Sequence, residues 1–349
     1  MEVKEKFGQM LMLGLNVYDL NDNIINIIKE YKIGGVVLYK KNYSDIKSMI
    51  KFINKLKEIN ENNHPLFIAI DQENGRVNRL PSEILRMPSA NKLAKSKNIE
   101  IVNECNEIMT NILSSVGINM NLAPVLDIIR DNNNKVIGNR SYGDNYKDVV
   151  KYGLPLAKTL KEGGIIPVIK HFPGHGITKG DSHIVIPKIK DVEEMEKNDL
   201  KVFEEAMQND IDAIMVGHLR IKGYGLKPAT MNKKIIDKYL YLYDGLIVTD
   251  DIKMNIIKYV FGLKRIIKNC IEANMNVIMI KYEKNDEKTF DKIIKMIENN
   301  EIDNKLIEKS YEKIINIKNK YKLNNDTITT KLELEKINSR ISSINNLVK

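Results

Sequence analysis

The sequence predicts a (β/α)8 barrel. Eight short apolar runs alternate with longer segments in which apolar residues recur at helical spacing. Most of these runs are nearly uniform in hydrophobicity, which is typical of parallel strands buried on both faces, and 349 residues suit one such barrel. The predicted strands are 8–15, 33–39, 66–70, 118–124, 165–169, 212–216, 245–249 and 277–280.

Predicted helices lie between these strands and after the last of them. An open, doubly wound parallel sheet is the alternative architecture for such an alternation. No GxGxxG motif follows the first predicted strand, which disfavours a dinucleotide-binding version of that sheet. The predicted helices are 45–59, 97–116, 146–163, 192–208, 232–242, 255–274, 286–298 and 303–321.

No linker, repeat or change of composition divides the chain. We therefore expect the barrel to occupy residues 1–323 as one domain. The remaining segment, 324–349, is polar and rich in Asn, Ser and Thr. We expect it to form a closing helix with a ragged end rather than a second domain.

The charge distribution argues against a nucleic-acid-binding protein. The 55 basic and 46 acidic residues give a net charge of +9, but the lysines are scattered and usually lie near Glu or Asp. This pattern is typical of solvated helix surfaces. No apolar run reaches the roughly 18 residues of a membrane span, and the first residues lack a signal-peptide pattern. We expect a cytoplasmic protein that binds neither nucleic acid nor a membrane; its oligomeric state is left open.

Arginine is scarce in this chain. Only eight of the 55 basic residues are arginine. Because lysine supplies positive charge elsewhere, an arginine indicates a position that needs the planar, bidentate guanidinium group. Arg76, Arg79 and Arg140 are the arginines for which this argument matters.

Functional side chains follow five of the predicted strands. One polar residue after a strand is commonly an ordinary cap, but five at the same end of consecutive strands predict a site, since function in a barrel collects there. These residues are Asp71, Asp127, Lys170 with His171, His218, and Asp250 with Asp251.

The segment KHFPGHGITKGDSH, residues 170–183, holds three of the five histidines. His171 and His175 have the spacing of two metal ligands on a helix, but "FPG" between them will not hold a helix. A loop-based metal site remains an alternative. Asp181 precedes His183 by two residues, so in an extended loop its carboxylate can orient the imidazole for general acid/base catalysis. A surface histidine with a chance neighbour is the other interpretation.

A series of motifs along the chain resembles family-3 glycoside hydrolases, in particular the single-domain β-N-acetylglucosaminidases of peptidoglycan recycling. The resemblance covers most of the chain and keeps the family's order, which makes it far more specific than one Gly-rich loop. The motifs are GQMLMLGL, IGGVVLY, DQENGRVNRL, GINMNLAPVLDI, GNRSYG, KHFPGHG, DSH, PATMNKKII and DGLIVTDDIKM.

The resemblance implies a TIM barrel with a retaining, double-displacement mechanism and no metal or other cofactor. Asp250 would be the nucleophile, and His183, oriented by Asp181, would be the general acid/base. This branch differs from the usual pair of carboxylates, because a loop histidine replaces the second acid. The sugar would be held by Asp71, Arg79, Arg140, Lys170 and His171.

Other positions receive lesser expectations. We expect Arg76 to form an ion pair with Asp71, and His175 to shape the loop between its flanking glycines. His218 and Asp251 are expected to support the site without touching substrate. The glycines of the loop, Gly174, Gly176 and Gly180, suggest that it can move over bound substrate.

The chain departs from the family pattern at two places. Asn74 stands where the family usually has glycine, and asparagine is the most tolerant replacement if the position needs a positive φ. The motif TDDIKM continues into "NII" rather than into small residues, which would narrow the pocket floor.

The resemblance implies an exo-β-N-acetylglucosaminidase acting on muropeptides or related β-glycosides. Two alternatives use the same site: a β-glycoside phosphorylase and a β-glucosidase. A metal-dependent barrel hydrolase using His171, His175 and His218 is a third. A catalytically silent sugar-binding protein is the last, although Asp181, His183 and Asp250 are all present in the sequence.

Overall fold

A computed structural model describes residues 2–130, 134–178, 186–329 and 331–348, apart from the side chains of residues 255 and 256. Eight parallel strands lie side by side in it, with helices between them. The predicted (β/α)8 barrel is thereby confirmed. The described residues form ten strands, of which β6 and β8 lie outside the barrel: β1 (Leu11–Leu15), β2 (Gly35–Leu38), β3 (Phe67–Ile70), β4 (Met120–Asn121), β5 (Ile166–Phe172), β6 (Lys188–Ile189), β7 (Ala213–Val216), β8 (Arg220–Ile221), β9 (Leu246–Thr249) and β10 (Ile278–Lys281).

The main sheet has the order β10-β1-β2-β3-β4-β5-β7-β9, and every pair in it is parallel. The barrel is closed between β9 and β10. There the backbone N–H of Thr249 donates to Val277 at 2.9 Å, and the Thr249 hydroxyl accepts from Met279 N–H, also at 2.9 Å. The two short strands β6 and β8 pair apart from the barrel.

Helices surround the barrel, and several begin at a side chain that satisfies a free backbone N–H. Asp45 accepts from Ser48 N–H, Asn98 from Glu100 and Ile101, and Asn145 from Asp148. The helices are α1 (Val3–Gln9), α2 (Asp22–Tyr31), α3 (Ile46–Ile59), α4 (Ala90–Lys95), α5 (Ile99–Ser115), α6 (Tyr146–Glu162), α7 (Val192–Glu194), α8 (Leu200–Gln208), α9 (Lys233–Tyr239), α10 (Asn255–Phe261), α11 (Leu263–Glu272), α12 (Glu287–Glu298), α13 (Asn304–Lys320) and α14 (Leu334–Leu347).

The observed elements differ from the predicted ones in several places. The first strand is shorter than 8–15 because α1 continues to Gln9, and neither α1 nor α2 was predicted. The predicted helix 255–274 is two helices separated by Gly262, whose φ is +72°. Helix 192–208 passes through a π-helical turn, Met195–Asp199. These differences leave the order of the barrel strands unchanged.

The strands place their side chains in one continuous core. The residues of β1, β2, β3, β7 and β9 are buried throughout, as expected of strands covered on both faces. All eight barrel strands run in the same direction, so their carboxyl ends meet at one end of the barrel. The predicted strand 165–169 extends to Phe172, so Lys170 and His171 lie among the last residues of β5 itself. The same end of the barrel carries the polar residues that follow β3, β7 and β9.

Candidate active site

One cavity of about 310 Å³ opens at the carboxyl ends of the strands. This volume is at the lower end of the range for small-molecule sites. All six predicted site residues that the structure describes line the cavity. Its lining residues are Asp71, Glu73, Val77, Arg79, Val136, Arg140, Lys170, His171, His175, Pro187, Met215, His218, Asp250, Met254, Ile257 and Met279.

Asp250 follows β9 directly and faces this cavity. Its backbone N–H donates to Val216 at 3.0 Å, which keeps it in register with β7, and its Oδ1 accepts from the N–H of Asp251 at 2.8 Å. Burial alone would raise the pKa of the Asp250 carboxyl. His171, His218, the Asp251 N–H and Lys170 outweigh burial and hold that pKa below its usual value. Asp250 is therefore a carboxylate at neutral pH, as a nucleophile must be.

The side-chain nitrogen of Lys170 lies between two carboxylates. Its Nζ lies 2.7 Å from Asp71 Oδ1 and 2.6 Å from Glu73 Oε1, and the lysine is almost fully buried. Burial would lower the pKa of Lys170, but Asp71 and Glu73 reverse that effect and raise it. The ammonium group is thus kept charged inside the cavity wall.

Arg140 pairs with the same buried carboxylate. Its Nε and one terminal nitrogen lie 2.7 and 2.8 Å from the two oxygens of Glu73, and the other terminal nitrogen donates to Val136 O at 3.0 Å. Burial would raise the pKa of Glu73, but Lys170 and Arg140 hold it far below its usual value. Glu73 is therefore a permanent anion that joins the loops after β3 and β4 to the end of β5.

Glu73 was not among the predicted site residues. Of the two carboxylates in this segment, only Asp71, directly after β3, was predicted; Glu73 lies two positions later. That spacing was an available signal, since residues two apart in an extended segment point to the same side. Its importance depends on Lys170 and Arg140, which are distant in sequence.

His171 is oriented by Asp127. The His171 Nδ1 lies 2.7 Å from Asp127 Oδ2, and the carboxylate also accepts from the backbone N–H of His171 and of His175. Burial would raise the pKa of the Asp127 carboxyl, but both histidines and these hydrogen bonds lower it. A carboxylate can only accept, so Nδ1 carries the proton and Nε2 is left for the cavity.

Arg76 does not have the predicted ion pair with Asp71. Its guanidinium donates to three successive backbone carbonyls, those of Lys135, Val136 and Ile137, at 2.7, 2.5 and 3.2 Å. Lys170 takes the place beside Asp71 instead, because it reaches the carboxylate from within the barrel. Arg76 therefore fixes the loop that supplies Val136 and Arg140.

The first half of the histidine loop is packed rather than open. A Cβ on Gly176 would lie 1.7 Å from Ile128 O, and one on Gly174 would lie 2.7 Å from Asp199 Cβ. These two glycines are needed for close approach of the backbone, and the suggestion that the loop moves over bound substrate stays a prediction. His175 is buried here, and its Nδ1 lies 3.2 Å from Thr178 Oγ1. Burial lowers the pKa of His175.

His218 and Asp251 stabilise the backbone beneath Asp250. His218 Nε2 donates to Asp251 O at 3.0 Å, and its Nδ1 lies 2.8 Å from Thr230 Oγ1. The Asp251 carboxylate accepts from the N–H of Lys253 at 3.0 Å and of Lys281 at 3.1 Å. Both nitrogens of His218 are thus occupied, and Asp251 caps the end of β10 rather than facing the cavity.

Arg79 also lines the cavity, and its guanidinium has one N–H donor that is unpaired among the described residues. Its Nε is buried and has no hydrogen-bond partner in the described part of the chain, although Arg79 lines the cavity. Its backbone is held on both sides, since Gln72 Oε1 accepts from Arg79 N–H at 2.9 Å and Tyr43 donates to Arg79 O at 3.1 Å. A buried donor without a partner is costly, so this position suits a ligand oxygen.

The turn between Glu73 and Arg79 explains the asparagine at position 74. Asn74 has a φ of +73°, and Gly75 after it has a φ of +58°. The expectation that this position needs a positive φ, which asparagine tolerates, is confirmed. This turn connects the buried Glu73 to Arg79, and both side chains line the cavity.

The predicted acid/base pair, Asp181 and His183, lies outside the described residues. Among the described residues, no group of three His, Cys, Asp or Glu side chains is arranged to hold a metal ion. No helix in the described ranges is both long and apolar enough to span a membrane.

Comparison with known proteins decides the family. Residues 2–317 match the model of the glycosyl hydrolase family 3 N-terminal domain. The chain belongs to glycosyl hydrolase family 3. This family 3 chain is a glycoside hydrolase, and the resemblance seen in its sequence motifs is confirmed.

Curated relatives and solved structures agree with this assignment. The chain is 34% identical over 253 residues to a β-hexosaminidase of Photobacterium profundum, an alignment covering 70% of this chain and 73% of the relative. It is 32% identical over 251 residues to a β-hexosaminidase of Tolumonas auensis, covering 70% and 74%. A family 3 β-N-acetylglucosaminidase from Paenibacillus sp. has a TM-score of 0.94 at 28% identity, covering 100% of this chain and 69% of that one.

Apolar side chains line the cavity together with Asp250 in this family 3 barrel. Met215 lies on β7 and Met279 on β10, the two strands that flank β9. Met254 and Ile257, which follow Asp250 in the chain, also line the cavity. Ile257 belongs to the segment after TDDIKM, and narrowing of the pocket floor by this segment stays a prediction. We call the lining around Lys170 the polar side of the cavity and these four apolar residues its apolar side.

Proposed function

We propose that the protein is a retaining exo-β-N-acetylglucosaminidase with Asp250 as its nucleophile. The observation that carries the proposal is the position of Asp250, an ionised carboxylate at the end of β9 that faces the cavity opposite a fixed set of polar groups. The names of its relatives, β-hexosaminidase and β-N-acetylglucosaminidase, support the sugar and the reaction.

In the first step Asp250 attacks the anomeric carbon, and the bond from that carbon to the leaving oxygen breaks. The leaving oxygen takes a proton from His183. In the second step His183 removes a proton from water, the water oxygen bonds to the anomeric carbon, and Asp250 is released. Two displacements on one carbon return the original anomeric configuration.

Cations engage the other carboxylates of the cavity. Lys170 and Arg140 keep Glu73 ionised, and Asp71 is paired with Lys170 Nζ at 2.7 Å. Glu73 is therefore not placed to supply a proton at neutral pH, and the Asp71 carboxylate is engaged in its ion pair. This supports the assignment of the acid/base role to His183 with Asp181, on the loop that begins at His175.

The sugar hydroxyls would be held by the polar side of the cavity. Asp71 offers an acceptor, while Lys170 and Arg79 offer donors, and the unpartnered Nε of Arg79 has an unmet need for an acceptor. His171 would donate or accept through Nε2, because Asp127 fixes its other nitrogen. Arg140 would act through Glu73, whose two oxygens it occupies.

The apolar side of the cavity supports an N-acetyl substituent. The 2-acetamido group is attached to the carbon next to the anomeric carbon, so its methyl group lies near the nucleophile. The four residues Met215, Met254, Ile257 and Met279 line the cavity together with Asp250 and would bury that methyl. A 2-hydroxyl group, as in a glucoside, would leave the same apolar surface uncovered.

The size of the cavity supports removal of a single terminal sugar. About 310 Å³ is too little for a longer stretch of glycan. We infer that the non-reducing terminal N-acetylglucosamine enters and that the remainder of the substrate, a muropeptide or related aglycone, stays outside.

The charges of the lining favour water over phosphate as the acceptor. In the described part of the cavity three basic side chains, Arg79, Arg140 and Lys170, face three acidic ones, Asp71, Glu73 and Asp250. A phosphate dianion would thus meet no surplus positive charge. Incubation with substrate and inorganic phosphate, followed by a search for sugar 1-phosphate, tests this point.

A panel of aryl glycosides tests the function. We expect turnover of the β-N-acetylglucosaminide with retained configuration, and at least about 100-fold lower kcat/KM on the β-glucoside. Asp250→Asn is expected to abolish turnover, while the exposed Asp244→Asn serves as the matched control. His183→Ala should slow chiefly substrates with poor leaving groups. Normal turnover by Asp250→Asn would overturn the mechanism.

A further inference from the structure

Residues 324–329 and 331–348, called here the C-terminal strap, follow the last barrel helix, α13. The match to the family 3 domain ends at residue 317, so the whole strap lies beyond it. The strap runs along one side of the barrel and reaches the loop after β3. We propose that it positions this loop for sugar binding and that Asn338 is its main positioning residue.

The first part of the strap is fixed to α3 and to the turn after it. The amide of Asn54 exchanges two hydrogen bonds with the backbone of Ile328, at 2.7 and 2.9 Å. Lys57 Nζ donates to Asp326 O at 2.7 Å, and Asn325 donates to the carbonyls of Asn60 and Asn63, both at 3.1 Å. These contacts anchor the strap at the opposite end from the active site, since α3 runs back towards the start of β3.

Helix α14 is then held on the body of the protein by packing and charge. Ile341 and Ile344 are fully buried, and Arg340 Nε donates to Glu104 on α5 at 3.2 Å. A helix anchored in this way presents its neighbouring polar side chains at fixed positions.

Asn338 and Asn345 bind the backbone of the β3 loop. Asn338 Oδ1 accepts from Leu85 N–H at 2.8 Å, and its Nδ2 donates to Glu83 O at 2.7 Å. Asn345 Nδ2 donates to Arg86 O at 3.1 Å. Asn338 therefore binds one backbone donor and one backbone acceptor of the loop. Two such hydrogen bonds fix the position of the loop more closely than one would.

The bound segment is joined to the sugar-binding turn by direct contacts. Met87 O, one residue after Arg86, accepts from Gly75 N–H at 3.1 Å. Gly75 is also packed on Ser89, whose Cβ would lie 2.6 Å from a Cβ at position 75. Gly75 lies between Glu73 and Arg79. A shift of residues 83–86 would therefore be transmitted to both of these side chains.

The strap thus acts on binding rather than on the chemical step. Arg79 contacts sugar oxygens in the ground state and in the transition state alike, so a displaced β3 loop weakens both by the same amount. Loss of such uniform binding raises KM and leaves kcat nearly unchanged. This part of the inference rests on the proposed function; the contacts of the strap do not.

Asn338→Ala tests the proposal, with Asn346→Ala as its matched control. Asn346 is an exposed asparagine on the same helix with no side-chain hydrogen bond among the described residues. We expect Asn338→Ala to raise KM for the aryl β-N-acetylglucosaminide about fivefold, with kcat within twofold and Tm nearly unchanged. Amide exchange in residues 81–89 should become about tenfold faster. Asn338→Asp, which keeps the acceptor for Leu85, should recover part of both effects.

Amide exchange separates this proposal from the proposed function. If the unmodified protein hydrolyses none of the aryl glycosides, the function fails, and exchange in residues 81–89 still decides whether the strap holds the loop. Equal exchange and equal KM in Asn338→Ala and Asn346→Ala would overturn the proposal. So would a loss of kcat with an unchanged KM.

Discussion

Glu73 and Arg140 form a two-point ion pair inside the barrel mouth, with distances of 2.7 and 2.8 Å. The pair closes a network in which Lys170 approaches the same carboxylate at 2.6 Å. Since Glu73 is buried and held ionised, it fixes two of the cations that line the cavity. The arrangement makes the polar side of the active site rigid before substrate arrives.

Replacing Glu73 with Gln should damage both folding and activity. The change leaves Lys170 and Arg140 buried without their common anion, and breaking a buried ion pair costs about 3 kcal/mol or more. We expect a loss of this size in the free energy of unfolding and about a 100-fold lower kcat/KM. Urea unfolding and steady-state kinetics measure these, with the exposed Glu61→Gln as control. An unchanged free energy of unfolding together with a kcat/KM within threefold of wild type would contradict the role given to Glu73.

The same substitution should change the acid dependence of stability. Glu73 has a lowered pKa in the folded protein, so its contribution is present above the unfolded value of about 4.3 and is lost as pH falls towards the folded value. Wild type should therefore lose stability below about pH 4.5 more steeply than Glu73→Gln. Parallel curves for the two proteins would mean that Glu73 is not held ionised.

Replacing Asp127 with Asn should release His171. The amide of asparagine would place an NH2 group against the N–H donors of His171 and His175 that the carboxylate now accepts. We expect kcat/KM to fall about 100-fold, because the Nε2 atom of His171 loses its fixed direction. Steady-state kinetics measures the loss, and the exposed Asp210→Asn is the control. Unchanged kinetics in a folded Asp127→Asn protein would remove His171 from the site.

Replacing Met254 with Ser should weaken selection for the N-acetyl group. Met254 lines the cavity and also precedes the first residue of α10, where serine is a favourable N-cap. Stability should therefore not fall. Loss of an apolar contact of about 1–2 kcal/mol corresponds to a 5- to 30-fold lower kcat/KM on the N-acetylglucosaminide. Activity on the β-glucoside should stay constant, and an equal drop on both substrates would place the acetamido group elsewhere.

Because of Lys318, the free energy of unfolding should rise with pH above neutrality. Its Nζ donates to Gln9 Oε1 at 2.7 Å and to Gly34 O at 2.9 Å, and burial lowers its pKa to about 7. Between about pH 7 and pH 10.5 the unfolded chain binds a proton there that the folded chain releases. Stability therefore rises with pH in this window, by up to about 1.4 kcal/mol per pH unit.

Removal of the amine tests this rise. Lys318→Met should show a flatter dependence of unfolding free energy on pH between 7.5 and 9.5 than wild type. Lys305→Met, an exposed lysine on the same helix, should keep the wild-type slope. If all three proteins have the same slope, the buried amine is not the source of the rise.

The barrel itself could be predicted because its signal is local. Uniform apolar runs such as 66–70 and 245–249 are recognisable without knowledge of their neighbours, and the residue after each run, Asp71 or Asp250, must lie at the common end of parallel strands. The predicted boundaries of helices were wrong where local signals compete. The helix predicted over 255–274 is interrupted at Gly262, and α2 was missed although Ile24, Ile27 and Ile28 form a buried face.

By itself the sequence determined the barrel, its family and the set of polar residues at the strand ends, because each depends on residue types and spacing along the chain. Only the tertiary structure decided how these residues pair. Arg76 turns to backbone carbonyls while Lys170, far away in sequence, takes the place beside Asp71. The spacing of Glu73 from Asp71 was visible in the sequence, but its role became clear only when Lys170 and Arg140 converged on it. Folding brings several charged groups close together, and their relative positions decide which of them pair. A local sequence pattern does not contain these positions.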